Sequence, residues 1–349
     1  MINDNAKIIF DSLDADAVFT QAEDLRKYLT GLSTSFGYVV TDKNGTTFYT
    51  DARYLEGAKN ALSSTGIEVK EFKGKKTDIL SGYKTVAIPV AKTLYSDYKA
   101  LKEAGFEIVD STPSFEKAMS VKSEYELQLI KKACEIADTS FCELLGLIKE
   151  GMSENEVAAN LEFLMRKHGA SGTSFDTIVA FGENSSVPHH ETGNRKLKFG
   201  DIVLIDFGCK YGGYCSDCTR TFLFGEDNIH AEFKKAYEHV LEAHMLAKER
   251  ITCNMTGREA DAISRNCLKQ YGLDKYFTHS LGHGIGINIH EFPNLSPKSE
   301  SVLLNNMVFS DEPGVYLEGK FGIRIEDTVT LEKGKVVSLT NSDKKLIIL

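Results

Sequence analysis

The chain has 349 residues, of which 42% are hydrophobic and 26% are charged, and this length suggests two domains with ample apolar core. The formal net charge of −9 argues against a nucleic-acid-binding surface. No apolar run reaches the roughly 18 residues that a membrane span needs, and no basic stretch followed by an apolar one opens the chain. We therefore expect a cytoplasmic protein.

The first 115 residues alternate short helical and strand patterns, which is typical of an α/β domain with a mostly buried sheet. The dipeptide Asn44-Gly45 predicts a hairpin between strands at 37–41 and 46–50. Helices are expected near 53–64 and 94–104, and strands near 67–72, 85–89 and 106–109. This half of the chain shows no catalytic constellation.

A change of pattern marks the domain boundary. The run Ser-Thr-Pro-Ser at 111–114 interrupts the α/β alternation, and a long amphipathic helix is predicted from about Ser123 to Lys149. We place an N-terminal domain at 1–118 and a catalytic domain at 119–349.

Seven cysteines, an odd number, are expected to be reduced thiols rather than a disulfide framework. Cys215 and Cys218 form a CxxC motif, but no second pair of ligands follows at the spacing of a structural zinc site. We interpret both cysteines as strand residues that flank Asp217.

The second half of the chain contains an internal duplication. Two capping boxes of the form Ser/Thr-x-x-Glu each open a predicted helix that ends at a glycine. The boxes are Ser153 with Glu156 and Thr256 with Glu259, and the glycines are Gly169 and Gly272. Capping boxes are common by chance, but here the same order of functional residues follows both helices.

That order is a histidine, an acid on one strand and a second acid on the next strand. The first set is His189, Asp206 and Asp217, and the second set is His290, Glu312 and Glu326. Two similar halves that face one another would bring both acid pairs to one shared axis.

Simple antiparallel counting places the acids of each set opposite one another. Around a turn at Tyr211-Gly212, Asp206 pairs with Asp217, and around Gly319, Glu312 pairs with Glu326. Like charges directly opposite destabilise a sheet, and burying an unpaired carboxylate is costly. One such pair is more often a solvated edge, whereas two pairs on apolar strands indicate a cation between them.

Three of the nine histidines, His279, His283 and His290, lie close together in a glycine-rich run. A single histidine is more often a core or surface residue, but this clustering favours a site. We predict that His283 is a metal ligand and that His290 takes part in the chemistry. A phosphate-binding interpretation of Gly282-x-Gly284 is weak, because no strand-loop-helix unit surrounds it. Four carboxylates and one imidazole suit two divalent ions. Manganese is the metal that we expect, and cobalt and zinc are the alternatives.

These residues stand in motifs that extend over the whole chain. The motifs are LIDFG at 204–208, GYCSD at 213–217, TRT at 219–221, HSLGHGIG at 279–286, HE at 290–291, EPG at 312–314 and RIED at 324–327. They resemble the Xaa-Pro peptidases, the prolidase and aminopeptidase P branch of the pita-bread metallopeptidases. YLTG at 28–31 and TDARY at 50–54 resemble the creatinase-type N-terminal domain.

The resemblance implies an α/β N-terminal domain and an α+β pita-bread catalytic domain, with a pseudo-two-fold duplication around a curved antiparallel sheet. It implies five metal ligands, namely Asp206, Asp217, His283, Glu312 and Glu326. It also implies a metal-bridging hydroxide that attacks the carbonyl of the bond before proline.

Further roles follow from the same resemblance. Glu312 would also shuttle a proton, while His189 and His290 would bind substrate and stabilise the tetrahedral intermediate. On the substrate side, the resemblance implies His279 as a contact, Arg324 as a residue that orients Glu326 or its neighbours, and Tyr316 in the same pocket.

One departure from the family pattern concerns the size of the substrate. Strict dipeptidases usually carry an arginine four residues after the position of His290, where it captures the free carboxylate of a dipeptide, but this chain has Asn294. We therefore favour an aminopeptidase that acts on peptides with proline at the second position. Xaa-Pro dipeptidase is the alternative, because Lys298 or Arg53 can replace the arginine.

Other members of the fold fit the sequence less well. A methionine aminopeptidase would not account for the additional N-terminal domain. A metal-free creatinase-like enzyme would have lost several of the five ligands. A non-catalytic peptide-binding or protein-binding member with a decayed site is the remaining alternative. Because the N-terminal domain helps to form the dimer and to cover the cleft in the family, we expect a homodimer.

Overall fold

A computed structural model describes residues 2–225 and 231–349, and the chain divides into two compact units, Met1–Met119 and Ser120–Leu349. Within these described ranges, no helix has both the length and the apolar character needed to cross a membrane.

The first unit is built on a six-stranded mixed sheet. Its strands are β1 (Ala17–Thr20), β2 (Tyr38–Asp42), β3 (Gly45–Thr50), β4 (Glu68–Glu71), β5 (Thr85–Ile88) and β6 (Glu107–Asp110). Its helices are α1 (Ile2–Asp11), α2 (Glu23–Thr30), α3 (Ala52–Leu62), α4 (Tyr95–Glu103) and α5 (Thr112–Ser120). The strand order is β4-β3-β2-β1-β5-β6, and the outer strands β4, β5 and β6 pair in parallel.

The hairpin predicted at Asn44-Gly45 is confirmed, although the two-residue loop lies one position earlier. Asp42 pairs with Gly45, so that Lys43 and Asn44 form the loop. The Asp42 carboxylate accepts the backbone N–H groups of Asn44 at 2.8 Å and of Gly45 at 3.2 Å, a common aspartate turn. Residues 111–114 do end the strand pattern, but they also begin α5, since proline is tolerated in a first helical turn.

The second unit consists of two helix-and-sheet halves. Its helices are α6 (Glu124–Leu145), α7 (Glu154–Lys167), α8 (Ala231–Arg250) and α9 (Gly257–Gln270). The strands of the first half are β7 (Gly172–Thr173), β8 (Ile178–Phe181), β9 (Asp201–Phe207), β10 (Cys209–Tyr211), β11 (Tyr214–Cys215) and β12 (Cys218–Phe224). Those of the second half are β13 (Gly282–Gly284), β14 (Glu291–Leu295), β15 (Val308–Asp311), β16 (Gly314–Leu317), β17 (Phe321–Arg324), β18 (Asp327–Glu332) and β19 (Lys335–Ser338).

The predicted duplication is confirmed by several matching features. Both capping boxes form, and each opens a helix of 14 residues, α7 or α9. Gly169 and Gly272 follow these helices with φ of 107° and 69°, a left-handed conformation that glycine adopts readily. Each box residue also makes an equivalent antiparallel bridge, Ser153 to Lys196 and Thr256 to Val302.

Antiparallel sheets in each half carry the site. The first half contributes β12-β9-β8, and the second contributes β14-β13-β15-β18-β19. They meet where the Glu326 N–H donates to the Thr219 carbonyl at 3.1 Å. Apolar side chains of α6 and α7 cover the first sheet, where Phe141 stacks on Phe207, and those of α8 and α9 cover the second.

The predicted pairing of Asp206 with Asp217 is wrong. Asp206 pairs with Thr219, because the turn centres on Gly212-Gly213 rather than on Tyr211-Gly212. Both glycines have positive φ, 58° and 86°, which lets them form the tight two-residue connection. The two aspartates are therefore offset along the hairpin.

The pairing predicted around Gly319 agrees with the ladders on both sides of the two glutamates. Gly314 pairs with Arg324 on one side, and Asp311 pairs with Asp327 on the other. Glu312 and Glu326 occupy the gap between these ladders, one residue beyond Asp311 and one before Asp327.

Candidate metal centre

The predicted ligands lie in or beside short strands, and most stand where a ladder is interrupted. Asp206 is in β9 and His283 is in β13, while Asp217 stands between β11 and β12. Glu312 separates β15 from β16, and Glu326 separates β17 from β18. These interruptions let consecutive strands come together around one point.

The structure brings the imidazole of His283 into contact distance of both acid sets. Its Nε2 atom lies 3.5 Å from Asp217 Oδ2 and 3.4 Å from Glu312 Oε1. Asp217, His283 and Glu326 each offer one ligand atom, and these atoms all lie within 4.8 Å of one another. Three of the five predicted ligands thus form a compact group, and Glu312 adjoins it through His283.

His283 presents a free lone pair to this group. Its Nδ1 atom lies 3.1 Å from the Gly284 carbonyl, which can only accept a hydrogen bond, so Nδ1 carries the proton. Burial lowers the pKa of His283, which keeps the ring neutral. A neutral imidazole with a free Nε2 is the form that binds a metal.

Burial and mutual repulsion raise the pKa of three of the four acids. For Asp217, burial is followed by the charges of Glu326 and Asp206, and the pKa lies well above its ordinary value. The pKa of Glu326 is raised in the same way, by burial and then by Glu312 and Asp206. Burial raises the pKa of Glu312 to about 7. Without a cation, this group of acids therefore retains protons near neutral pH.

Arg324 is the basic side chain hydrogen-bonded to the acids. It donates to Asp206 Oδ2 at 2.6 Å and to Thr219 Oγ1 at 2.9 Å, and the Thr219 hydroxyl donates to Glu326 Oε2 at 2.6 Å. Arg324 was expected to orient Glu326 or its neighbours. It contacts Asp206 directly and reaches Glu326 through Thr219.

These residues fit a divalent cation. The Oδ1 atom of Asp206 is buried and has no hydrogen-bond partner among the described residues, which is costly for a carboxylate oxygen. It lies in a group of four acids with one neutral imidazole, a donor set that suits manganese, cobalt or zinc.

The three predicted substrate-side residues form one hydrogen-bonded chain. His279 Nδ1 donates to the Ser280 carbonyl at 2.8 Å, so its Nε2 accepts from the Tyr316 hydroxyl at 3.0 Å. Tyr316 in turn accepts from Arg324 at 2.6 Å. Burial lowers the pKa of His279 to about 3 and raises that of Tyr316 to about 12, so both groups are neutral.

His290 and His189 are exposed residues near His283 and the four acids. The rings of His290 and His283 lie 4.3 Å apart in an edge-to-face arrangement. Burial and the neighbouring His283 and His189 lower the pKa of His290. His189 also acts electrostatically on Glu312, which places both histidines on the side of the acids.

Two hydroxyl residues of the site were not predicted. Thr219 binds Glu326, and Ser310 donates to Glu312 Oε1 at 2.9 Å while it accepts the His283 N–H at 3.0 Å. Alternation along a strand offered a signal, because Thr219 is two residues after Asp217 and Ser310 is two residues before Glu312.

The CxxC cysteines are strand residues on either side of Asp217, as predicted. Cys215 ends β11, and its thiol lies 3.5 Å from the Ile287 carbonyl. Cys218 begins β12, and its thiol lies 3.6 Å from the Glu326 carbonyl. All seven cysteines are free.

Comparisons with known proteins extend over both units. Residues 128–333 match metallopeptidase family M24, and residues 4–118 match the creatinase/prolidase N-terminal domain. A solved Xaa-Pro dipeptidase from Bacillus anthracis is 37% identical with a TM-score of 0.94, over 100% of this chain and 99% of that one.

Two further relatives carry different names. A solved X-Pro aminopeptidase from Thermotoga maritima is 35% identical with a TM-score of 0.90, over 99% of each chain. An Xaa-Pro dipeptidase from Pyrococcus horikoshii is 37% identical over 99% of both chains. With this family match and the acid-rich centre described above, the chain belongs to metallopeptidase family M24 and carries a creatinase/prolidase N-terminal domain.

Proposed function

We propose that the protein is a metal-dependent Xaa-Pro peptidase that removes the residue before proline from peptide N-termini. The observation that carries this proposal is the group of Asp217, His283 and Glu326, whose ligand atoms lie within 4.8 Å of one another. Its family membership and the names of its relatives support the substrate class, but those names divide between dipeptidase and aminopeptidase.

The chain's own residues would divide the work as follows. Asp206, Asp217, His283, Glu312 and Glu326 would hold two divalent ions. Bound ions of this kind supply a nucleophile at neutral pH by lowering the pKa of water. Glu312, whose pKa burial raises to about 7, is suited to take up and return a proton. His189 and His290 would hold the substrate carbonyl, and Arg324 would keep Asp206 in place.

The position of Asn294 supports the aminopeptidase assignment. Asn294 pairs with His283 across β13 and β14, so the two side chains share one face of the sheet, and Asn294 is exposed. A neutral amide beside the metal centre cannot form the bidentate ion pair by which an arginine binds the carboxylate of a dipeptide.

The decisive experiment compares Xaa-Pro dipeptides with Xaa-Pro tripeptides, for the wild type and for Asn294→Arg. We expect the wild type to hydrolyse tripeptides at least as well as dipeptides. Asn294→Arg should lower the KM for dipeptides by roughly 10- to 100-fold, since a hydrogen bond to a charged group contributes about 1.5–3 kcal/mol. Asn294→Met is the matched control without the charge. Strict dipeptide use by the wild type would show that the alternative, an Xaa-Pro dipeptidase, is correct.

Metal analysis separates the enzyme from a non-catalytic member of the fold. We propose about two divalent ions per chain, with manganese first and cobalt or zinc as alternatives. A protein that binds none after reconstitution with manganese or cobalt would be the binding module instead.

We also propose a homodimer that works in the cytoplasm. The seven free thiols support a reducing compartment. Light scattering of the purified protein tests the dimer, and a monomer at all concentrations would refute it.

A further inference from the structure

A buried ion pair lies in the second unit outside the predicted ligand set. Lys122 Nζ lies 3.0 Å from Glu291 Oε2, and the two side chains are 1% and 7% exposed. Lys122 also lies between the segments that match the two family profiles, 4–118 and 128–333. Glu291 immediately follows His290, the exposed histidine beside the acids.

Glu291 closes the loop that carries His290, here called the histidine loop (residues 286–291). Its Oε1 atom accepts the Asn288 N–H at 2.9 Å, while Oε2 binds Lys122. The Gly286 N–H donates to the Asn288 carbonyl at 3.0 Å, and the Gly286 carbonyl accepts the backbone N–H of Cys215 at 2.7 Å. The loop is thus held at one end by Glu291 and at the other by the strand that precedes Asp217.

The ion pair also explains a glycine of the HSLGHGIG motif. A Cβ atom at Gly286 would lie 2.2 Å from Glu291 Oε2 and 2.9 Å from Lys122 Nζ. Both distances are below van der Waals contact, so residue 286 must be glycine for the pair to keep this geometry. The glycine at position 286 therefore makes room for the ion pair.

Stability alone is a weak reason for such a pair. Removing two charges from water costs free energy, and well-packed apolar replacements of buried ion pairs are often as stable or more so. What the Lys122–Glu291 pair does here is hold a charged side chain inward directly beside His290, whose ring faces His283 at 4.3 Å.

We propose that Lys122 and Glu291 are positioning residues that hold the histidine loop so that His290 faces the metal centre. The inference rests on the proposed function, in which His290 contacts the substrate. Neither residue needs to touch substrate or metal, because both act through the loop.

The experiment uses the full chain loaded with manganese. Lys122→Met, Glu291→Gln and the double variant Lys122→Met/Glu291→Met are compared with His290→Ala. Lys320→Met, which breaks an ion pair whose side chains are 58% and 57% exposed, is the matched control. The readouts are metal content, melting temperature, kcat and KM for an Xaa-Pro tripeptide, and amide exchange at Asn288.

We expect both single variants to keep the wild-type metal content and to lose roughly 10- to 100-fold in kcat, as misplacement of a catalytic group does. The Asn288 amide, which donates to Glu291, should exchange faster. The double variant should regain the melting temperature but not the rate, because its Glu291→Met change removes the acceptor of the Asn288 N–H. Lys122→Met should add no further loss to His290→Ala, and Lys320→Met should match the wild type.

Two results would overturn the inference and leave the proposed function intact. One is wild-type kcat in a folded, metal-loaded Lys122→Met protein, and the other is a double variant whose rate recovers together with its stability. If Lys122→Met does not fold, the nearly isosteric Glu291→Gln decides the same question.

Failure of the proposed function is distinguishable from these results. It would appear as a wild type that binds manganese but does not hydrolyse Xaa-Pro peptides. The positioning is then judged from Asn288 exchange and from the His290 ring resonance. If both are unchanged in Lys122→Met and Glu291→Gln, the inference is overturned as well.

Discussion

Where strand β15 ends and strand β18 begins, each face of the sheet carries a pair of acids, and the two pairs are neutralised differently. Glu312 and Glu326 stand opposite one another at the metal centre, and Asp311 and Asp327 form a second pair of like charges one residue further along. Because successive side chains alternate between faces, the second pair belongs to the reverse face. Both aspartates are fully buried there.

On the reverse face, the protein supplies its own cations. Asp327 accepts from Arg220 at 2.8 Å and lies 2.9 Å from Lys344 Nζ. His244 of α8 lies between the two aspartates. Its Nδ1 atom is 3.2 Å from Asp311 Oδ2, and its Nε2 atom is 3.5 Å from Asp327 Oδ2. Although burial opposes it, Arg220 and His244 hold the pKa of Asp327 well below its ordinary value.

The contrast explains why the other face needs an external cation. At the metal centre, burial and repulsion raise the pKa of Asp217, Glu326 and Glu312, and Arg324 is the cation hydrogen-bonded to the acids. Where three basic side chains accompany two acids, Asp327 stays ionised, although burial raises the pKa of Asp311. At the metal centre, where Arg324 accompanies four acids, the raised pKa values of Asp217, Glu312 and Glu326 favour protons that a divalent cation would replace.

The largest effect should come from breaking the metal face. Asp217→Ala is expected to abolish both metal retention and hydrolysis, because it removes a member of the compact ligand group. Metal analysis and an Xaa-Pro peptide assay test this, with the exposed Asp14→Ala as the control.

In the metal-free protein, a substitution of the same residue should instead raise the melting temperature. Asp217→Asn should melt at a higher temperature than the wild type in EDTA at neutral pH, because wild-type Asp217 must take up a proton or bury a repelled charge on folding and asparagine does neither. A lower melting temperature would show that repulsion does not dominate this face.

On the reverse face, the same kind of change should weaken the fold whether or not metal is present. Asp327→Asn is expected to cost about 3–5 kcal/mol, because Arg220 and His244 lose their buried partner. Urea unfolding with manganese and with EDTA measures this free energy. A loss that disappeared on adding manganese would mean that the two faces are not independent.

The pH dependence of stability should separate the faces. Glu312 has a raised pKa of about 7 against an ordinary 4.5, so its contribution in the metal-free protein is complete below pH 4.5 and is lost as the pH rises to about 7. Burial lowers the pKa of His244, but Asp311 and Asp327 outweigh it and raise the pKa from 6.5 to about 9. Its contribution of about 3 kcal/mol is complete below pH 6.5 and is lost as the pH rises to about 9.

Urea titrations from pH 4 to 10 measure both steps. Manganese should remove the lower step, because the ions replace the protons, and should leave the upper one. His244→Gln should remove only the upper step. An upper step that persisted in His244→Gln would assign it to another group.

The smallest effect is expected at the edge of the reverse face. Lys344→Met should cost about 1 kcal/mol, because its side chain is 18% exposed and Arg220 and His244 still accompany Asp327. A loss as large as that of Asp327→Asn would mean that Lys344 carries most of the neutralisation.

The parts of the fold and site that follow short-range rules could be predicted from the sequence. Capping boxes, apolar alternation and the spacing of the acids indicated the duplication and the residues that gather at the centre. The pairing predicted for the hairpin of Asp206 and Asp217 was wrong, because the residues around Gly212-Gly213 allow several turn centres. A shift of the centre by one residue changes every pair of the hairpin. At Gly319 a single glycine stands at the tip, and the counting there agrees with the ladders.

The reverse face was not predicted, for a different reason. Asp311 and Asp327 adjoin the predicted ligands, so alternation alone could have placed them on the opposite face. Their cations come from distant segments, His244 from α8 and Lys344 from near the end of the chain. Contacts at such separation depend on packing that no local pattern contains.

The shared register of the β15–β18 and β16–β17 ladders limits how this segment can change in length. One residue added within either arm, between Glu312 and Leu317 or between Phe321 and Glu326, would shift that arm by one position. Its glutamate would then turn toward the face of His244, and its aspartate toward the face of the metal centre. The exposed tip at 318–320 lies outside both ladders. An insertion there leaves the pairing intact, which makes the tip the place to attach a label or an affinity tag.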